Sequence, residues 1–233
     1  MRKAILNCML VLSSALVSPS AFAADIAPDV ELKTITLEVI ALLRQDKDIK
    51  TGDPAKLATL VEMKILPHFD FRRMTQIAAA RSWRLATPEQ QNALTAEFRT
   101  LLVRTYSTAL SSYRDQVIEF KPLRAAPGDT EVTVKSVVRQ SGSAPLALDY
   151  DVEKLVEGWK VYDIKIEGVS LVTTYRETFA ATVRESGVDG LIKSLTEKNR
   201  LRDAGVRSNN RGQLHVPVVL VQAFASRMLH LFH

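Results

Sequence analysis

Apolar residues in the first part of the chain recur at helical spacing. Between Asp29 and Asp46, Leu32, Ile35, Val39, Leu42 and Leu43 share one face, the pattern of a helix with one buried side. Asp53-Pro54 supplies an N-cap and a first-turn proline for a second helix, which buries Leu57, Leu60, Val61 and Ile65 and stops at Pro67. His68-Phe69-Asp70-Phe71 then leads into a short helix through Met74 and Ile77. Thr87-Pro88-Glu89-Gln90 is a capping box with proline at the first helical position. It opens the longest predicted helix, to about Arg114, with Leu94, Phe98, Leu101, Leu102, Leu110 and Tyr113 inward and Tyr106 beside that stripe.

The period then changes from 3.6 to two. Val117 to Leu123 predicts one strand; Val132, Val134 and Val138 alternate on a second, after the turn Pro127-Gly128-Asp129. Leu146, Leu148, Tyr150 and Val152 alternate on a third, against Asp149, Asp151 and Glu153. A fourth runs from Gly158 to Glu167, with Tyr162, Ile164 and Ile166 on one face and Trp159 and Val161 on the other. After Gly168, Leu171, Val172, Tyr175 and Phe179 return to helical spacing, so the strand is expected to feed directly into a helix. Ser186-Gly187 breaks that helix, and a last amphipathic turn carries Leu191, Ile192 and Leu195 to Asn199. The expected fold class is α+β: a curved, mainly antiparallel sheet of about four strands whose apolar face alone is covered by helices.

Composition places this domain in a compartment. Arg2-Lys3, the apolar run Ala4 to Val17 and Ala21-Phe22-Ala23 read as a secretory signal peptide over residues 1–23. The apolar run is too short to span a bilayer, which needs about 20 residues. The one cysteine, Cys8, lies inside it, so the domain 24–199 is expected to rely on its core without disulfides. The formal net charge of +5 misleads. Of the 31 Lys and Arg residues, Arg2, Lys3, Arg200, Arg202, Arg207, Arg211 and Arg227 lie outside the body, and of the 26 acids only Asp203 does. A nearly neutral body gives no electrostatic case for nucleic acid. Residues 200–233, rich in Arg, Asn and Gly and then apolar, read as a tail of no assigned role.

Candidate chemistry is sparse. His68 and Asp70 form the one His-x-Asp pair of the body, and no cysteine or second histidine there completes a metal site. The favoured reading makes Asp70 a helix cap and has His68 satisfy a backbone group at the turn. The chain contains neither Gly-x-x-x-x-Gly-Lys-Ser/Thr nor Gly-x-Ser-x-Gly, so it reads as neither an ATPase nor a lipase. An apolar pocket in an α+β fold also suits an isomerase or dehydratase, with Asp149, Asp151 or Asp163 beside Tyr150 or Tyr162. Strand alternation puts those acids on the polar face. An importer's binding protein is a third class, but the two α/β lobes of such a clamp are missing.

Five segments together resemble one family: Leu66-Pro67-His68-Phe69-Asp70-Phe71, Thr87-Pro88-Glu89-Gln90-Gln91, the run Leu101 to Tyr106, Gly128-Asp129-Thr130, and Gly158 to Arg176. Their order and spacing are similar to those of MlaC, the periplasmic phospholipid-binding component of the Mla lipid-transport system, also called the toluene-tolerance auxiliary component. The resemblance covers about Ala24 to Asn199. It implies a helix-backed twisted sheet around a deep apolar pocket, phospholipid as cargo, and no cofactor. It further implies a monomeric shuttle between an outer-membrane lipoprotein–porin complex and an inner-membrane ABC transporter carrying an MCE-domain protein. Its role would be to maintain outer-membrane lipid asymmetry.

The chemistry of such cargo is demanding. Two sixteen-carbon chains expose about 28 methylenes, so release into water costs on the order of 20 kcal/mol. A carrier must offer an apolar cavity free of unpaired charge. The expected walls are Val132, Val134, Leu148, Tyr150, Val152, Tyr162, Ile164 and Ile166 on the sheet. Phe69, Phe98, Leu102, Tyr106, Leu171, Tyr175 and Phe179 are expected to close it from the helical side. The same side chains would serve equally well as a solid core.

Overall fold

The computed structural model describes residues 26–50, 53–111, 116–140, 142 and 144–203. The segment read as a signal peptide and the tail from residue 204 onward lie outside the described residues. Helices come first: α1 (Pro28–Gln45), α2 (Lys47–Lys50), α3 (Pro54–Lys64), α4 (Phe71–Ala79) and α5 (Pro88–Ser111), with 3-10 turns at Leu66–His68 and Ala80–Leu85. The strands β1 (Val117–Phe120), β2 (Glu131–Arg139), β3 (Leu146–Leu155), β4 (Gly158–Ile166) and β5 (Val169–Ser170) follow, and α6 (Arg176–Asp203) closes the domain.

Local chemistry sets the helix starts. Asp53 Oδ1 accepts from the Ala55 and Lys56 amides at 2.8 and 3.2 Å. Asp70 Oδ1 accepts from the Arg73 amide at 2.8 Å, which is the capping role expected of it. At α5 the Gln90 amide donates to Thr87 Oγ1 (3.2 Å) while the Thr87 amide donates to Gln90 Oε1 (3.0 Å), a reciprocal capping box. Gly187, at φ 71° and ψ −178°, kinks α6 where a break was expected, and the second limb runs on past Asn199 to Asp203.

The sheet has five strands in the order β1-β2-β3-β4-β5, with every neighbouring pair antiparallel. The additional strand corrects the expectation that β4 passes straight into a helix. Glu167 and Gly168 both take positive φ (51° and 79°), the requirement of a tight two-residue hairpin turn. The chain therefore doubles back, Val169 pairs with Ile166 and Ser170 with Lys165. Leu171, Val172 and Tyr175 lie in the connection, and helix begins only at Arg176.

A β-bulge alters one face of β4. Asp151 opposes Asp163, but Val152 opposes Val161, so Tyr162 is the extra residue. Beyond it the inward parity is reversed: Val161 (1% exposed) is buried with Val134 and Val152, and Tyr162 turns outward. The interior is then divided in three. One cluster, around Leu94, Phe98, Tyr175 and Phe179, joins α4, α5, α6 and one end of the sheet. A second gathers Val39, Leu43, Leu60 and Val61 from α1 and α3. The third is the valine trio at the other end of the sheet.

Candidate functional site

Where those three clusters approach one another they leave a cavity of about 310 Å³. That is roughly twenty times the ~10–15 Å³ that one water needs, and within the ~300–1,000 Å³ range of ligand pockets. Its floor is the inner face of the sheet: Ile118, Val138, Leu148, Tyr150, Val161, Ile164 and Ile166. α1 supplies one wall through Leu32, Ile35, Val39 and Leu43, which repeat at the spacing of a single helical stripe. Val61 of α3 and Ile65 at its C-cap, Phe69, Phe71 and Met74 around the start of α4, and Leu102, Val103 and Tyr106 of α5 complete the lining.

Of the fifteen side chains expected to form the pocket, Phe69, Leu102, Tyr106, Leu148, Tyr150, Ile164, Ile166 and Leu171 line this cavity. The other seven do not. Phe98, Tyr175 and Phe179 pack on one another instead: Phe98 meets Tyr175 edge-on at 4.9 Å and Phe179 at 5.2 Å, and all three are essentially inaccessible. They are solid core. Val134 and Val152 (each 0% exposed) pack against Val161, with Val132 partly buried beside them, which fills the sheet end that was expected to be hollow. Tyr162 is on the opposite surface, where the Arg73 guanidinium stands 3.7 Å above its ring and its hydroxyl is 3.4 Å from Glu131. The bulge put it there.

Val161 and the α1 stripe were missed as lining residues. The stripe was legible as a buried helix face, but nothing in its period tells a side chain facing a neighbour from one facing a void. The bulge that brings Val161 inward has no signal in the residues of β4.

The cavity contains no carboxylate among the described residues. Asp151 is engaged by Lys165 (2.6 Å) and by the Thr133 hydroxyl (2.7 Å). Asp163 accepts from the Ser170 hydroxyl and from the Ile164 and Val172 amides, bracing the turn into α6. Polar groups enter the lining at Thr36, His68, Tyr106, Ser107, Gln116 and Tyr150. Ser107 donates to the Val103 carbonyl, so its hydroxyl is spent within α5. Burial pushes the Tyr150 phenol up to about 12, which keeps it neutral beside the apolar floor.

His68 sits at the α1 side of the cavity, its Nδ1 3.8 Å from Glu31. Burial lowers its pKa, only partly opposed by Glu31. Its side chain therefore faces a carboxylate across the α1 contact, a correction to the backbone partner expected for it. Lys160 Nζ donates to the Pro67 carbonyl at 2.6 Å, fastening the same turn to β4. Among the described residues no cluster of metal-ligating side chains is present.

The comparisons agree with this architecture. A phospholipid-binding protein from Ralstonia solanacearum, solved in complex with a phospholipid, is 45% identical, superposes with a TM-score of 0.70, and is matched over 98% of its length and 75% of this chain. The intermembrane phospholipid transport system binding protein MlaC of Haemophilus influenzae is 22% identical over 190 residues, 80% of this chain and 88% of that protein. Toluene tolerance protein ttg2D of Pseudomonas putida is 25% identical over 155 residues, 66% of this chain and 72% of that protein. Residues 33–197 match the sequence profile described as MlaC protein, a span that takes in the cavity from Ile35 to Leu171. The chain belongs to the MlaC family.

Proposed function

We propose that this protein is a periplasmic phospholipid carrier whose cavity receives acyl chains, and that it moves lipid between the outer and inner membranes to maintain outer-membrane asymmetry. The observation that carries the reading is the cavity itself: about 310 Å³ of space between the helices and the sheet, lined almost wholly by aliphatic and aromatic side chains. Apolar lining of this kind compensates the cost of withdrawing methylenes from a membrane at ~0.8 kcal/mol each. The Ralstonia relative's bound phospholipid and the transport-system names of the curated relatives support the same cargo. The proposed contacts are the eight lining residues above, joined by the α1 stripe, with Tyr106 and Tyr150 placing phenols among the chains. The proposed exchange partners are the lipoprotein–porin complex of the outer membrane and the MCE-domain protein of the inner-membrane ABC transporter, which would also supply the energy.

Native mass spectrometry of protein purified from cells tests the cargo. The expected spectrum carries additional mass equal to a phospholipid, removed by solvent extraction. Protein that is uniformly empty, under conditions that preserve other lipid complexes, would end the carrier reading.

A further inference from the structure

On the side of α4 away from the cavity lies a second concavity, lined by Arg73, Gln76, Arg81, Arg84, Glu153 and Arg176 over a floor that includes Trp83. It shares no lining residue with the lipid cavity: α4 presents Phe71 and Met74 to one and Arg73 and Gln76 to the other. Four guanidinia line it, and Glu153 is the one carboxylate among its lining residues. Arg73 is committed to Glu131 and Glu153, and the Arg176 Nε donates to the Ile77 carbonyl at 3.2 Å. Arg81 and Arg84 are exposed and make no ion pair or hydrogen bond with the described residues.

Their placement is unfavourable by local rules. Ala80, at φ 48° and ψ −115°, adopts a backbone conformation rare for a residue with a Cβ, and it turns the chain out of α4 into the Ala80–Leu85 3-10 segment. In a 3-10 helix residues three apart eclipse one another. The segment thus sets two like charges on one side of a two-turn element, which is repulsive in the isolated protein. An occupant that suits this site brings carboxylates to the arginines.

We infer that the Arg81–Arg84–Arg176 cleft is a docking site for an acidic segment of a partner protein. An acidic peptide strand meets that requirement, since its side chains carry carboxylates that pair with guanidinium forks. A lamellar membrane surface also carries anions that pair with arginine, but a plane does not enter a recess. The carrier reading supplies the purpose of such docking, but the chemistry of the cleft stands apart from it.

The test uses the full mature chain with its co-purified lipid and fluorescently labelled hexaglutamate as probe. Anisotropy is expected to show binding that weakens with added salt. Arg81→Glu combined with Arg84→Glu is expected to weaken it by about tenfold or more, whereas the double lysine variant retains most of it. Melting temperature and lipid mass should match the parent in both variants. Hexaglutamate binding that is absent, or equal in parent and Arg81→Glu/Arg84→Glu protein, overturns the inference. So does capture by phosphatidylglycerol vesicles, or competition by inorganic phosphate, that depends on these arginines while the peptide does not bind. Peptide binding by protein that never carries lipid would sink the carrier reading and leave the cleft intact.

Discussion

Removing the cargo should cost the protein much of its stability. A void of 310 Å³ costs on the order of 7 kcal/mol at the ~24 cal/mol per Å³ measured for residual core cavities. This is a ceiling, because the coefficient belongs to sealed voids while this cavity opens to solvent, and because α1 can settle towards the sheet and recover part of the lost contact. It is nonetheless comparable to the ~5–15 kcal/mol that holds a typical domain together. At ~2–4 °C per kcal/mol for a chain of this size, delipidated protein should melt about 10 °C or more below the loaded form. Calorimetry on protein as purified, and again after solvent extraction with lipid loss verified by mass, measures the difference. The companion variant is Ile164→Trp, which points an indole into the cavity. It should prevent lipid retention and raise the melting temperature of the empty form. Val172→Trp, at a position 0% exposed in the packed cluster, should instead destabilise by about 1–3 kcal/mol through overpacking. An extracted protein that melts within about 2 °C of the loaded one, with Ile164→Trp as damaging as Val172→Trp, would refute the claim that the interior is hollow at this place.

Other expectations follow from residues whose surroundings differ in kind. Leu148→Asp should reduce lipid per protein, since it aims a carboxylate into the cavity, whereas Val152→Asp should lose about 3–5 kcal/mol by urea titration because it strands a charge among Val134 and Val161. Thr87→Ala should cost about 1 kcal/mol at the start of α5 with lipid binding unchanged, read as a shift in the urea midpoint. His68 has its folded pKa below 6.5, so the folded state binds fewer protons than the unfolded one. Its contribution is complete above about pH 6.5 and is lost as the pH falls through the folded value. Urea midpoints between about pH 7.5 and 5 should therefore fall less steeply in His68→Asn than in the parent.

The helices and the meander were legible because each depends on short-range chemistry. Asp53-Pro54, Asp70 and Thr87-Pro88-Glu89-Gln90 announce helix starts by satisfying amides within three residues. Alternation in β3 told its apolar, cavity-side face from its charged one without knowledge of any partner. Two features escaped for the opposite reason. The bulge at Tyr162 is a property of how β4 registers on β3, so period two carried through it and placed Tyr162 and Val161 on each other's faces. The return strand β5 was masked because Leu171, Val172, Tyr175 and Phe179 keep helical spacing from the end of the hairpin through a 3-10 turn into α6.

The boundary between void and core was the least legible feature, and the aromatic residues show why. Phe98, Tyr175 and Phe179 were natural choices for a pocket lined by large apolar groups, yet their rings satisfy one another edge to face and leave no room. The hollow lies instead beneath residues of ordinary aliphatic size, such as Ile35, Val39 and Ile164, that belong to elements meeting at their margins. Burial is a property of a single side chain and leaves a trace in its polarity. A cavity is a mismatch between the volume that three packed clusters fill and the space that their backbones enclose. That difference exists only once α1, α5 and the sheet have been positioned together, so no residue type or spacing encodes it. What does survive in the sequence is the absence of charge from every strip that faces the hollow, a condition that a solid core and a cavity for fatty chains satisfy equally.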